Sequence, residues 1–406
     1  MDFDQGMTRS LSALARTGRT WAAVAAVSAM LGACSDINST FPQFSQAGSD
    51  PGQAAQAVSG ATIGSGPVRV ALILPMTSAT GSVPAQSLRN AAEMALTEFN
   101  SQELTILVKD DQGTPEGARA AAQEALAQGA EAIMGPLFAP SVSAVATVAR
   151  ASQKPVIAFS TDASVASRGV YLLSFMPQTD VQRIVAFAAG RGKKSFAALI
   201  PQSAYGNVAE AAFMQAVTQS GGRVVAVERY QSNKASLDAA IAKIKGSIAG
   251  ADSLFIPDDG NGVPAVAAAV RAAGIGSNVQ MLGTGVWNEA RVFKTTALNG
   301  GWFAAPESGG FQGFAQRYRA KFNADPTRIA TLSYDAAALM SALVRTQGAN
   351  RFSEQVLTNG SGFSGQDGVF RFRADGTNDR GLAIYQIGNG TATVIQAAPR
   401  SFASGT

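Results

Sequence analysis

The stretch Val68-Arg-Val-Ala-Leu-Ile-Leu-Pro75 is a nearly continuous run of apolar and branched residues that ends at a proline. Such a run is typical of a parallel strand that is covered on both faces. A polar loop follows this run. Between Leu88 and Phe99, apolar side chains then recur at the spacing of one helix face, and the charged residues fall on the other faces. A strand followed by such a helix is the beginning of a βαβ unit, so the sequence predicts a parallel sheet.

The same alternation of strand and helix continues on both sides of residue 179. Further strands are predicted at 104–109, 132–135, 156–160, 196–200, 224–230, 254–256, 279–282, 369–372, 382–387 and 393–396. Further helices are predicted at 115–128, 140–151, 181–189, 208–219, 237–248, 263–273, 311–322 and 331–345. Ligands of doubly wound sheets bind beyond the carboxyl ends of the strands, so we expect a site in the polar loops after Pro75, Pro201 and Pro257.

The first thirty-three residues have the pattern of a secretory signal. Three arginines precede the apolar run Trp21–Leu31, which is about half as long as a bilayer-spanning helix. The segment Leu31-Gly-Ala-Cys34 resembles a bacterial lipobox, in which the cysteine is lipidated. We therefore expect residues 1–33 to be a signal peptide and Cys34 to carry a lipid anchor to a membrane. The alternative is a buried apolar helix in which Cys34 is only a small hydrophobic residue.

Residues 34–66 are expected to form a flexible tether behind the lipidated cysteine. The segment is rich in Ser, Gly, Gln, Ala and Pro and shows no sustained periodicity. Ser35 follows the cysteine. In the lipoproteins that this segment resembles, an aspartate at that position retains the protein in the inner membrane, so the serine favours the outer membrane, with the folded part in the periplasm.

Composition excludes several classes of function. The 406 residues include no histidine and one cysteine, so histidine-dependent relays, internal disulfides and cysteine-rich zinc sites are impossible. The net charge of +4 is small, and the basic residues of the chain are scattered along it, which argues against nucleic acid as a partner. The pairs Asp110-Asp111 and Asp258-Asp259 could serve as acid and base or hold a cation, or they could cap helices. We expect no enzyme activity, no cofactor and no metal.

Several segments together resemble the type I periplasmic-binding fold of the leucine/isoleucine/valine-binding protein family. They are 70–75 with Thr77-Ser78, Val108–Asp111, Gly135-Pro136, Pro155–Ser160, Tyr205-Gly206, Gly283–Gly285 and Gly368–Phe372. The resemblance implies an α/β protein with two doubly wound parallel-sheet lobes joined by a three-strand hinge. It places lobe 1 at 67–177 and 306–365, lobe 2 at 178–305 and 366–397, and a disordered tail at 398–406.

The resemblance also implies ligand-binding positions in the cleft between the lobes. On this basis the candidate residues are Thr77, Ser78, Ser141, Ala163, Ser164, Tyr205, Asp258 and Thr284. The family's acidic residue, which meets a ligand ammonium, would align near Gly285, so that carboxylate is absent from the expected position. Asp162, Asp258 and Glu289 are possible replacements.

Two functions follow as expectations from the resemblance. The first is a lipid-anchored solute-binding protein that captures an amino acid, an amide or a similar small polar ligand for an ABC permease. The second is a non-enzymatic activator of the kind found among outer-membrane lipoproteins, which docks on a peptidoglycan synthase, a penicillin-binding protein. The lipobox, the long tether and the altered amino-acid site suit the second role.

Overall fold

A computed structural model describes residues 61–276 and 278–402. The predicted signal peptide, Cys34 and most of the predicted tether lie outside the described residues. The first sheet consists of β1 (Thr62–Ile63), β2 (Val68–Leu74), β3 (Leu104–Asp110), β4 (Ala130–Met134), β5 (Val156–Ala158) and β6 (Val170–Leu172). Its strand order is β1-β3-β2-β4-β5-β6, and every pair is parallel except β1 with β3. The crossover helices are α1 (Ser82–Glu98), α2 (Pro115–Ala127) and α3 (Ala139–Ala151).

The second sheet begins after the chain leaves β6. The elements in chain order are α4 (Pro177–Gly190), β7 (Ser195–Pro201), α5 (Ala204–Gln219), β8 (Arg223–Tyr230), α6 (Lys234–Ile248), β9 (Ser253–Phe255), α7 (Val263–Ala272), β10 (Gln280–Gly283), α8 (Ala290–Phe293) and β11 (Trp302–Ala305). Helices α4 and α5 bury apolar side chains against one face, and α6 and α7 against the other.

The chain then returns to the first sheet before it ends on the second. The returning elements are α9 (Ser308–Phe322), α10 (Ala330–Thr346), α11 (Glu354–Leu357), β12 (Phe363–Gly365), β13 (Gly368–Phe372) and β14 (Asn378–Arg380). Helix α10 packs along α1, while β12, β13 and β14 form a small antiparallel sheet. Strands β15 (Ala383–Gly388) and β16 (Thr391–Gln396) then complete the second sheet, whose order is β16-β15-β11-β10-β9-β7-β8.

The two-lobed α/β architecture that the sequence predicted is therefore confirmed. We call the first sheet with α1–α3, α9 and α10 the first lobe, and the second sheet with α4–α8 the second lobe. The chain passes between them three times, after β6, after β11 and after β14. In each sheet the strand order reverses beside an interior strand, β2 or β7, and doubly wound folds place their ligands at this reversal.

The structure differs from the predicted boundaries at three places. Thr62-Ile63, expected in the tether, pair with the edge strand β3. Phe370 and Phe372, expected in lobe 2, pack into the core of the first lobe. The segment 398–402, expected in a disordered tail, includes Phe402, whose ring lies under the Arg371 guanidinium. These segments are short, and only their tertiary partners fix them.

Each sheet is mainly parallel and has antiparallel strands at one edge: β1 in the first sheet, and β15 and β16 in the second. Within the described residues, no helix is both long enough and apolar enough to span a membrane.

Candidate functional site

Two of the candidate residues, Tyr205 and Thr284, lie together on the second lobe. The Tyr205 hydroxyl is 2.7 Å from the Thr284 Oγ1. Tyr205 is in the first turn of α5, whose start is fixed by Ser203, because the Ser203 side chain accepts a hydrogen bond from the Gly206 N–H. Thr284 follows β10 and is fully buried. Burial raises the pKa of the Tyr205 phenol above its usual range, so the hydroxyl stays protonated.

Asp180 adds a carboxylate beside this pair, and sequence reasoning missed it. Its Oδ2 accepts a hydrogen bond of 2.9 Å from the Gly285 N–H, at the position where the family's acidic residue would align. A Cβ on residue 285 would lie only 2.9 Å from that oxygen, so glycine permits the close approach. Burial raises the pKa of the Asp180 carboxyl to about 7. The available signal was an acidic residue in the first turn of the helix after a lobe crossing.

A cluster of charged side chains lies on the first lobe and the small sheet, and two of its members, Arg328 and Arg380, are close enough to Asp180 to interact with its charge. Arg328 forms two hydrogen bonds, of 2.7 and 3.0 Å, with the Asp367 carboxylate, whose side chain is fully buried. Asp335, on α10, is 3% exposed, and its Oδ1 accepts a hydrogen bond from the Gln366 N–H. Arg380, at the end of β14, is 6% exposed. Burial raises the pKa of Asp335 to about 7, while Arg328 holds that of Asp367 below its usual range.

The predicted residues at the carboxyl end of β2 and the start of α3 form a second group, on the first lobe. The Thr77 hydroxyl donates to Asp110 Oδ2 at 2.6 Å, and Ser78 packs over Gly113. Ser141 is buried and donates to the Thr114 carbonyl at 3.4 Å. The hydroxyls of Thr77 and Ser141 thus already have protein partners.

The predicted pair Ala163-Ser164 lies in a short 3₁₀ helix, Ala163–Val165, on the first lobe. Ala163 packs against the first-lobe core, while Ser164 is exposed. The Ser164 N–H donates to the Asp162 carboxylate at 2.9 Å, so Asp162 caps this turn.

Asp258 and Glu289 belong to the second lobe, where Asp258 follows β9 and Glu289 directly precedes α8. Asp258 Oδ2 accepts a 2.6 Å hydrogen bond from the Tyr230 hydroxyl, and burial raises the pKa of its carboxyl. Glu289 forms an ion pair with Arg291 at 3.3 Å. The structure therefore brings Tyr205 and Thr284 together and leaves Asp258 with separate partners. Among the described residues, no group of three acidic or sulfur ligands is arranged to hold a metal ion.

Comparisons with known proteins bear on the fold and the family of this chain. No curated protein sequence gives a significant match. A protein from Rhodospirillum rubrum, described as a branched-chain amino acid ABC transporter, is 19% identical with a TM-score of 0.72, covering 81% of this chain and 99% of its own. An isoleucine complex of a branched-chain amino acid transporter binding protein from Streptococcus pneumoniae is 18% identical with a TM-score of 0.56, covering 82% and 99%.

A solute binding protein of an ABC transporter from Rhodopseudomonas palustris, in complex with 3,4-dihydroxybenzoic acid, is 19% identical. Its TM-score is 0.57, and the match covers 82% of this chain and 97% of that one. At these identities the likeness concerns the fold. The family model described as periplasmic binding protein, however, matches residues 67–392, and the predicted resemblance to the leucine/isoleucine/valine-binding type is confirmed. The chain belongs to the periplasmic binding protein family.

Proposed function

We propose that this protein captures a small polar ligand between its two lobes in the periplasm and delivers it to an ABC-type transporter. One observation carries the proposal. Asp180, which lies beside Tyr205 and Thr284 on the second lobe, is close enough to Arg380 for the two charges to interact, and Arg380 also interacts with Asp335. Hydrogen-bond donors and acceptors, including acidic and basic side chains, therefore lie close together at the junction of the lobes. Such convergence suits a small molecule that carries both donors and acceptors.

The ligand class is drawn from the chemistry of this cluster. Asp180 places a carboxyl group next to Gly285, at the position where the family's acidic residue would align. An amino acid, an amide or an aromatic acid is compatible with these groups. Isoleucine and 3,4-dihydroxybenzoic acid, the ligands of two structural neighbours, both carry a carboxyl group. The role is binding rather than catalysis, and it requires no cofactor.

The proposal includes a lipid anchor at Cys34, with the outer membrane favoured by Ser35. The support is the lipobox-like Leu31–Cys34 segment and the tether behind it. A Cys34→Ser variant is expected to leave the membrane fraction, because it cannot be lipidated. Retention of that variant in the membrane fraction would contradict the anchor.

Docking on a peptidoglycan synthase is the second candidate function. It is favoured by one observation, that the first-lobe hydroxyls of Thr77 and Ser141 are engaged within the protein. A crosslinked pull-down from whole cells tests it. Recovery of a synthase with no permease would support docking. Recovery of neither protein would contradict it.

Thermal unfolding of the full chain against amino acids, amides, aromatic acids and peptidoglycan fragments tests the binding function. A ligand at 100 times its Kd stabilises the folded state by about 2.7 kcal/mol, which raises the Tm by a few degrees. We expect one small molecule to produce such a shift. No shift with any member of the panel would contradict solute capture.

A further inference from the structure

The Arg380 guanidinium is buried and fixed, and its outer edge has no protein partner. Its Nε donates to the Ser174 carbonyl at 3.0 Å, and its central carbon lies 4.7 Å from the centre of the Phe175 ring. Nη1 and Nη2 are both buried, and neither has a hydrogen-bond partner among the described residues. A buried guanidinium without partners is costly, so these two nitrogens require an acceptor.

The neighbouring carboxylates do not supply that acceptor. Asp367 is bound to Arg328, and Asp180 accepts from Gly285. Asp335 accepts from Gln366 through Oδ1, while its Oδ2 is buried and has no partner among the described residues. All three carboxylates act on Arg380 through their charge, but none of them hydrogen-bonds to Nη1 or Nη2.

We propose that Arg380 binds the carboxylate of the ligand through Nη1 and Nη2, so that the ligand's acidic end is anchored at the hinge rather than in the first-lobe loops. This inference rests on the proposed function. The planar guanidinium edge matches a carboxylate with two parallel N–H···O bonds. The Ser174 bond and the Phe175 ring fix its orientation in advance, so little side-chain entropy is lost on binding.

The surrounding charges permit an additional carboxylate. Arg380 faces Asp367, Asp335, Arg328 and Asp180. The Arg328–Asp367 pair is neutral in sum, and burial raises the pKa of both Asp180 and Asp335 to about 7. A ligand carboxylate would raise these pKa values further, so both acids would be protonated beside it. The protonated Asp335 could then donate a hydrogen bond from its unpartnered Oδ2 to the ligand.

Two matched pairs of probes test the assignment: benzoate with benzamide, and leucine with leucinamide. Each is titrated calorimetrically into the full-chain protein at slightly acidic pH. Charge-assisted hydrogen bonds predict that at least one acid binds about tenfold or more tightly than its amide. Arg380→Met should abolish that preference, and Arg380→Lys should retain part of it because it keeps the charge without the paired donors.

Arg371→Met is the matched control, since Arg371 lies on the same small sheet but pairs with Asp379. It should leave the acid-over-amide preference unchanged. Equal affinity for acid and amide in the unmodified protein, or a preference that survives Arg380→Met, would overturn the role of Arg380 alone. Absence of binding by all four probes would overturn this inference, whereas the proposed function is contradicted only when the whole panel of amino acids, amides, aromatic acids and peptidoglycan fragments fails to bind.

Discussion

At the scale of single residues, the hydroxyls of Tyr205 and Thr284 depend on each other. Thr284 is completely buried, and the Tyr205 hydroxyl, 2.7 Å away, is its side-chain partner among the described residues. A buried hydroxyl that loses its partner retains its desolvation cost, whereas removal of both hydroxyls costs little. The energetic effect of this pair is therefore non-additive.

Tyr205→Phe is expected to lower the free energy of unfolding by about 1 kcal/mol or more, because it leaves the Thr284 hydroxyl buried and unpaired. The double variant Tyr205→Phe with Thr284→Val should recover much of that loss. Urea denaturation of the single and double variants measures the coupling. Strictly additive effects would show that the two hydroxyls do not interact.

Asp335 makes stability depend on pH. Its pKa is about 7 in the folded protein and 3.8 as an isolated group, so the folded state holds its proton more tightly than the unfolded state. Below pH 4 the Asp335 carboxyl is protonated in both states and does not disfavour folding. As the pH rises towards 7, the unfolded state releases this proton while the folded state keeps it, so the free energy of unfolding falls. Asp335→Asn removes this loss. Relative to the unmodified protein, the variant should gain about 4 kcal/mol between pH 4 and pH 8.

Urea denaturation of Asp335→Asn at several pH values measures that gain. Asp325→Asn is the control, because Asp325 is an exposed residue that pairs with Arg319. This exposed ion pair contributes little to stability, so the control variant should unfold at nearly the same urea concentration as the unmodified protein. A profile for Asp335→Asn that parallels the unmodified protein would show that Asp335 is ionised in the folded state at neutral pH.

At the scale of elements, the site depends on where helices begin. Helix α5 carries Tyr205 in its first turn, and the Ser203 side chain, 3.0 Å from the Gly206 N–H, fixes that start. Gly206 itself approaches the Pro201 carbonyl so closely that a Cβ would lie 2.0 Å from the oxygen. The end of β7 and the start of α5 are therefore held as one unit.

Ser203→Ala is expected to lower the free energy of unfolding by about 1 kcal/mol, because the Gly206 N–H loses its cap. Ser203→Asp should retain the cap and most of the stability. Ser220→Ala, at the opposite end of the same helix, is a matched control that should change little. Thermal unfolding compares the three variants, and equal effects of Ser203→Ala and Ser220→Ala would contradict the capping role.

The strands and helices with strong periodicity were predictable from the sequence, and the short ones were not. The apolar run 68–75 corresponds to β2 (Val68–Leu74), and the helix predicted at 331–345 corresponds to α10 (Ala330–Thr346). Strands β6 and β12, three residues each, carry too few residues for a pattern. Their positions depend on pairing with distant segments.

The charged residues of the site were also beyond prediction from the local sequence, because distant parts of the chain bring them together. Tyr205 and Thr284 lie beyond strand ends, where doubly wound folds place their ligands, and the family resemblance singled them out there. Asp180 and Arg380 are separated by two hundred residues, and only the three passages between the lobes bring them together. Their burial, which gives them their chemistry, has no signature in the local sequence.

At the scale of the whole molecule, the three chain passages place a charged cluster where the two lobes join. Arg380 follows β13, whose Phe370 packs into the first-lobe core, while Asp180 belongs to a helix of the second lobe. A change in the angle between the lobes would separate these groups. A ligand that binds to both sides would thus favour the closed arrangement over the open one.

The most direct test of the central claim is a calorimetric titration of the full chain with the small acid or amide that most raises its Tm. The account predicts a saturable isotherm with one ligand bound per chain, and loss of that binding in the Asp180→Asn with Arg380→Met double variant. An unmodified protein that binds none of the panel, or a double variant that binds as well as the unmodified protein, would contradict ligand capture at the junction of the two lobes.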